Sequence, residues 1–241
     1  MKQSAKEHSR ENISLMFDEI SPTYDVTNRV MTFGLDKYWR KKVTTYLPKK
    51  QGLVVLDCAT GTGDQLFSVM ESRANIARAV GVDLSESMLA KGRSKLSDKP
   101  YASLVQLEVA SAMELPFPAQ TFDFVTISFG IRNVVDVHQT LGEFYRVLKP
   151  DGRLVILEGS VPSNRFVRFF HLFYLRHLVP LIGSTLSRHK SAYRYLNETI
   201  ETFPAGAAMC QILKRAGFSE VGFKPLTFGL VTLYCGTKRP S

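Results

Sequence analysis

The sequence predicts a doubly wound α/β sheet, mostly parallel and seven-stranded. Three observations predict it. Short apolar runs alternate with helical stretches from Leu53 to Glu158. The first run breaks into a bend, Ala59-Thr60-Gly61-Thr62-Gly63-Asp64. The second run ends in an acid, Asp83, about twenty residues beyond that bend. Strand and helix repeating at this rhythm mean βαβ units with right-handed crossovers.

The first strand is Leu53-Val54-Val55-Leu56-Asp57, and a helical stretch follows the bend. The second is Ala79-Val80-Gly81-Val82-Asp83, after which Ser85 opens a helix over Met88, Leu89 and Leu96. Leu104 to Val109 reads as the third strand and Phe122 to Ser128 as the fourth. Val137, Leu141, Phe144, Tyr145 and Leu148 then share one helical face. Lys149-Pro150-Asp151-Gly152 stops that helix, and Arg153 to Glu158 is the fifth strand. A helix near Ala207–Ala216 and strands near Phe218–Lys224 and Leu230–Thr237 complete the sheet. One domain is expected, in four parts: a helical N-terminal cap over 1–50, a core over 51–160, a helical insertion over 161–205, and the closing helix and strands over 206–241. Phe17, Tyr24 and Trp39 are the apolar anchors of the cap.

The 241 residues are enough for one α/β domain with a core of its own. The net charge of +9 favours an acidic partner, such as a membrane surface or nucleic acid. The basic residues are dispersed, with no Lys/Arg block of the nucleic-acid type, and no nucleic-acid partner is expected. Cys58, Cys210 and Cys235 fit no zinc spacing and read as thiols of a reducing cytosol. Met1 to Asn12 lacks the apolar core of a secretory signal. No stretch reaches the ~18 apolar residues of a membrane span. His8, His138, His171, His177 and His189 are scattered and form no metal set.

In such a sheet a ligand sits outside the carboxyl ends of the strands, where Asp57 to Asp64 lies. Gly61 and Gly63 permit a sharp turn and close backbone approach. A carboxylate at Asp83 suits ribose hydroxyls. The dinucleotide pattern G-x-G-x-x-G fails in both registers: from Gly61 its third glycine would be Leu66, and from Ala59 the first is missing. Asp64 would also set a negative charge where a pyrophosphate wants bare N–H groups. S-adenosylmethionine carries no phosphate and bears an ammonium and a sulfonium, so the acids favour it.

Narrower runs then become informative. Met16-Phe17-Asp18-Glu19-Ile20 precedes Tyr24-Asp25 and Asn28, and Gly34 precedes Trp39-Arg40. Ser111-Ala112-Met113-Glu114-Leu115-Pro116-Phe117, Phe129-Gly130-Ile131-Arg132-Asn133, Tyr145 to Pro150 and Tyr193-Arg194-Tyr195-Leu196 follow. With these runs the chain resembles the quinone-biosynthesis C-methyltransferases, the demethylmenaquinone/ubiquinone family, from about Met16 to about Lys238. The resemblance implies a Rossmann-like class I methyltransferase fold using S-adenosyl-L-methionine. It also implies a prenylated quinol as substrate, methylated on a ring carbon. Cofactor contacts would come from Asp57, Gly61, Thr62, Gly63, Asp83, Ser111, Ala112 and Ser128. Two positions depart from the pattern: Ala59 replaces a common glycine, and Ser111 stands where Asp or Asn is usual.

Ring methylation needs an electron-rich carbon, which a quinol provides once a neighbouring hydroxyl loses its proton. Arginine is a poor base because it stays protonated. Arg132 is therefore assigned to stabilising the oxyanion or orienting a water, with Asn133 beside it. The rival reading pairs Arg132 with a structural carboxylate such as Asp136. By the resemblance Tyr24, Asn28 and Tyr195, with Asp25, close over the substrate. No metal is expected.

Arg165, Arg168 and Arg176 fall within about 80° on a wheel of ~100° per residue, in a segment that is otherwise broadly apolar. That pattern suits a lid forming a greasy channel with arginines at lipid headgroups, on the inner face of the cytoplasmic membrane. It suits equally a seam with a neighbour, such as a homodimer. Two other functions fit the core motifs: a methyltransferase of another small molecule, a phenol or sterol, and a non-catalytic cofactor-binding or RNA-associated module.

Overall fold

The computed structural model describes residues 10–72, 74–186 and 190–240. His8 and His189 lie outside them. Seven strands form one sheet in the order β3-β2-β1-β4-β5-β7-β6. They are β1 (Leu53–Cys58), β2 (Ile76–Asp83), β3 (Val105–Val109), β4 (Phe122–Ser128), β5 (Leu148–Gly159), β6 (Ser219–Leu226) and β7 (Val231–Thr237). β1 to β5 pair in parallel, and β7 runs antiparallel to both β5 and β6. The order reverses between β1 and β4, so the loops after these two strands open the crevice where ligands bind.

Burial explains why the central strands were readable. Every residue of β4 is buried, as befits a strand covered on both faces. One core layer holds Val55, Leu66, Leu89, Phe124 and Val155; the layer on the opposite face holds Leu56, Val80, Val125, Phe144 and Ile156. β5 differs from expectation, beginning at Leu148 rather than Arg153. Asp151 adopts a left-handed φ of +61°. The backbone there is nonetheless paired: Asp151 N–H donates to Lys238 C=O (3.1 Å), and Lys238 N–H to Gly152 C=O (2.9 Å). Pairing with the chain end keeps the Pro-Asp-Gly bend inside the strand.

The helices of the core are α4 (Asp64–Met70), α5 (Glu86–Leu96), α6 (Val137–Val147) and α10 (Ala207–Arg215). α1 (Arg10–Ile20), α2 (Tyr24–Met31) and α3 (Leu35–Val43) precede the sheet. The insertion contains α7 (Arg165–Phe173), a π-helical turn over Tyr174–Leu178, α8 (Val179–Leu186) and α9 (Lys190–Thr202). Cap and insertion share a small core of their own: Ile20 and Met31 pack with Leu175, Val179 and Tyr193, and with Met88 of α5. Tyr174 Oη reinforces it by donating to Met31 C=O (2.8 Å). The two segments outside the repeat thus form one helical layer beside the sheet.

Candidate active site

Three left-handed residues make the bend after β1: Ala59 (φ +49°), Gly61 (+55°) and Gly63 (+86°). A methyl at Ala59 has a structural consequence. A Cβ added at Gly130 would lie 2.6 Å from Ala59 Cβ and 3.2 Å from Ile127 Cγ1. The glycine lost at position 59 is therefore matched by a glycine after β4. Gly130→Ala is expected to destabilise the fold by about 1–3 kcal/mol through overpacking. Adding Ala59→Gly should recover most of that loss, read as the midpoint of urea unfolding. Additive effects of the two changes would contradict the contact.

Asp83 closes the other side of the crevice. Its carboxylate accepts the Gly61 N–H (2.8 Å) and the Ser85 N–H (3.0 Å). Burial raises its pKa from the ordinary carboxylate value. Gly61, Asp83, Ser111, Ala112 and Ser128 all line one pocket, together with Asn133 and Tyr24. Ser111 Oγ accepts the Met113 N–H (3.2 Å), and Ser128 Oγ donates to Gln65 Oε1 (3.0 Å).

Other residues named from the sequence support the bend from behind. Asp57 is fully buried, with Thr60 Oγ1 donating to it at 2.6 Å. Burial pushes its carboxyl up to about 7. A Cβ at Gly63 would lie 2.6 Å from the Phe67 ring. Thr62 directs its hydroxyl to Asp25 Oδ1 (2.6 Å). Asp64 requires a correction: its carboxylate is engaged by Lys95 (2.5 Å) and Arg29 (3.6 Å) and does not line the pocket. Burial pushes that carboxyl up, but Lys95, with Arg40 and Arg29, more than offsets it and holds the pKa low.

Among the described residues Asp83 is the one charged side chain that lines the pocket, and no Lys or Arg among them does. Its walls are otherwise small or apolar, including Ala59, Leu84, Met88, Ala110 and Met113. One carboxylate and no cation are a poor match for a pyrophosphate. They suit a ligand with ribose hydroxyls, a flat base and net positive charge near sulfur. The residues present therefore fit S-adenosylmethionine. Sequence reasoning missed the pocket's cover, where Ile13, Ser14 and Phe17 of α1 lie across it. Ser14 Oγ donates to Leu84 C=O (3.2 Å), and Ser85 Oγ to Asp18 Oδ1 (2.5 Å). The Phe17-Asp18 pair was visible in the sequence, but not the strand end it faces.

A second, larger cavity of about 500 Å³ adjoins the first through Tyr24 and Phe129, which line both. Its walls are mainly apolar, among them Met31, Phe166, Phe170, Leu175, Val179 and Val231. A small cavity of about 40 Å³ brings Tyr24, Asn28, Arg132, Asn133 and Tyr195 together. Burial raises the phenol pKa of Tyr24 and of Tyr195, so both hydroxyls carry their proton at neutral pH.

Arg132 is nearly buried and paired, but with Glu158 rather than Asp136. Its Nη1 donates to the Glu158 carboxylate and to Phe129 C=O (2.8 Å), and its main-chain N–H reaches Glu158 Oε2 (3.3 Å). Asp136 instead caps α6, accepting from His138 N (2.8 Å) and Gln139 N (3.0 Å). Among the described residues Arg132 Nε and Asn133 Oδ1 are buried with no hydrogen-bond partner, one donor and one acceptor on adjacent residues. Glu158 was not singled out from the sequence. Parallel pairing of Ser128 with Leu157 puts an acid ending β5 beside the loop after β4, and that was the available signal. His171 was likewise passed over; it lines the large cavity, and burial holds its imidazole below the usual histidine range.

Comparison with known proteins agrees with this geometry. Residues 2–238 match the model of the ubiE/COQ5 methyltransferase family. The chain belongs to that family. This methyltransferase is 42% identical over 228 residues to the ubiquinone/menaquinone biosynthesis C-methyltransferase UbiE of Geobacter sulfurreducens, covering 95% of this chain and 89% of that one. It is 41% identical to the demethylmenaquinone methyltransferase of Thermus thermophilus, covering 92% of this chain and all of the relative (100%). Its fold is shared with an S-adenosylmethionine-dependent methyltransferase of Thermotoga maritima, described as a possible histamine N-methyltransferase. That match has a TM-score of 0.66 at 18% identity and covers 94% of this chain and 100% of the other. S-adenosyl-L-methionine is the methyl donor of this methyltransferase.

Proposed function

We propose that this methyltransferase alkylates a ring carbon of a prenylated quinol, converting a demethylmenaquinol to a menaquinol, the step named for its relatives in menaquinone and ubiquinone biosynthesis. The observation that carries the reading is the apolar cavity of about 500 Å³ adjoining the cofactor pocket, with Arg132 on its wall. A ring at the junction and a hydrocarbon tail along the phenylalanines would satisfy both ends of such a substrate. When bound, S-adenosylmethionine supplies an electrophilic methyl on a positively charged sulfur. The chain's own residues hold the ring against it, so catalysis is largely proximity and alignment.

Loss of a proton from a ring hydroxyl loads electron density onto the neighbouring carbon. The guanidinium of Arg132, fixed by Glu158 and by Phe129 C=O, is the charge that favours this oxyanion. Asn133 and the protonated Tyr24 are placed to orient the second oxygen. After transfer the ring carbon releases its hydrogen as a proton. An oxidised quinone has no hydroxyl to ionise, so only the reduced ring is expected to turn over. The test is product formation from demethylmenaquinone with and without a reductant. Equal yields in both arms, or preference for a sterol or simple phenol, would overturn the reading.

The tail's destination supports a further part of the proposal, contact with an anionic membrane surface at the inner face of the cytoplasmic membrane. Phe166, Phe169 and Phe173 on α7 are 73%, 67% and 51% exposed. Phe33, which lines the cavity as Phe166 does, is 78% exposed. Among the described residues no helix is long and apolar enough to cross a membrane. The basic trio read from the sequence needs revision. A π-helical turn interrupts the wheel at Tyr174–Leu178, and Arg176 is engaged by Glu201 (2.9 and 2.5 Å). The phenylalanines, with Arg165 and Arg168, are the better handle. Vesicles rich in anionic lipid are expected to pellet the wild type. Phe166, Phe169 and Phe173 changed together to Ser should leave it in the supernatant. Pelleting unchanged by that variant would contradict the contact, and self-association in its place would favour a homodimer seam.

A further inference from the structure

One polar cluster belongs to neither pocket. Asp25, on α2, accepts from Thr62 Oγ1 at 2.6 Å and from Lys95 Nζ at 3.1 Å. Lys95, on α5, also reaches Thr62 Oγ1 (3.0 Å) and Asp64 Oδ1 (2.5 Å). Three separate segments therefore meet at one carboxylate: the cap, the bend after β1, and the helix that follows Asp83.

The neighbours of this cluster give it meaning. Thr62 follows Gly61, whose N–H is held by Asp83 in the cofactor pocket. Asp25 follows Tyr24, whose ring lines both pockets. Along α2, Tyr24, Asn28 and Met31 form one wall of the large cavity. They recur at helical spacing, whereas Asp25 is turned toward the bend. A ligand that fixes Asp83 and Gly61 thus fixes Thr62, and through Asp25 it fixes the helix that shapes the neighbouring cavity. Asp25 and Lys95 are each about one-third exposed, which makes this cluster a weak contributor to overall stability. Its effect lies in the orientation of α2.

We infer that Asp25 is a positioning residue that couples the two pockets, so that cofactor bound at Asp83 completes the wall of the adjoining apolar cavity. The inference rests on that cavity holding the quinol ring. Cofactor binds first in this scheme, and the two ligands tighten one another reciprocally.

The experiment measures the dissociation constant of a short-tailed demethylated naphthoquinone, which the proposed chemistry leaves unreacted. It is measured with and without saturating S-adenosylhomocysteine. In the wild type the cofactor product is expected to tighten the quinone by roughly tenfold. In Asp25→Ala the tightening should fall below about twofold, with the affinity for S-adenosylhomocysteine alone changed less than about threefold. Thr62→Val removes the other partner of the contact and should reproduce the loss, which also serves if Asp25→Ala folds poorly. A purely structural role would lower the melting temperature and leave the tightening intact. Tenfold tightening preserved in both variants, or absent from the wild type, overturns the inference. Turnover of the quinol without coupling leaves the proposed function standing and removes only this coupling. A wild type that neither binds the quinone nor methylates the quinol removes the function, and the coupling with it.

Discussion

Asp83→Ala is expected to weaken S-adenosylhomocysteine binding by about 100-fold or more, as measured by calorimetry. Two charge-assisted hydrogen bonds to ribose hydroxyls would each be worth about 1.5–3 kcal/mol, so losing even one exceeds tenfold and losing both exceeds about 100-fold. The carboxylate also holds the Gly61 and Ser85 N–H groups, so the variant loosens both edges of the crevice. Stability should change little, because burial disfavours the charged form and its removal relieves that penalty. Asp83→Asn keeps one acceptor and no charge, and it should fall between the two. An Asp83→Ala protein that binds S-adenosylhomocysteine like the wild type would remove Asp83 from the site.

Arg132 is expected to show the opposite division. Replacing it should reduce kcat by about 100- to 1000-fold, the usual loss when a donor to a developing oxyanion is removed. Affinity for S-adenosylhomocysteine should stay within about threefold of wild type, since Arg132 does not line that pocket. A simple Arg132→Ala would confuse the result. It strands the Glu158 carboxylate, which is 1% exposed, and breaking such a buried pair costs about 3–5 kcal/mol. The informative protein is Arg132→Gln combined with Glu158→Gln, neutral on both sides and still able to hydrogen-bond. It should regain most of the thermal stability and none of the turnover. Recovery of turnover with stability would make the pair structural, and loss of cofactor affinity equal to that of Asp83→Ala would contradict the separation of roles.

The sheet was legible because its central strands are buried on both faces. β4 was read as Phe122–Ser128 and has those bounds, since its whole length is apolar or tightly packed. The direction in which a side chain leaves a turn was not legible. Asp64 and Thr62 sit in the same bend as Gly61, yet Thr62, between two left-handed glycines, turns to Asp25, and Asp64, which opens the helix after Gly63, turns to Lys95. Nearness in sequence misdirected the search for the partner of Arg132. Asp136 is four positions away and caps a helix, while Glu158 is brought beside Arg132 by strand pairing. In the insertion, a constant 100° step fails where the helix widens at Tyr174–Leu178, and the wheel could not show that Arg176 is engaged by Glu201. The convergence of Tyr24, Asn28, Arg132, Asn133 and Tyr195 on one small cavity came from family patterns. Periodicity could not have supplied it, because these residues lie in three distant segments.

The most direct measurement supplies S-adenosylmethionine with a deuterated methyl group to the purified protein and chemically reduced demethylmenaquinone, and follows the product by mass spectrometry. The deuterated methyl should appear intact on a ring carbon, only under reducing conditions, and not with Asp83→Ala. Label on a ring oxygen, or binding of the cofactor with no label in any quinol, would contradict the assignment of the paired cavities to carbon methylation.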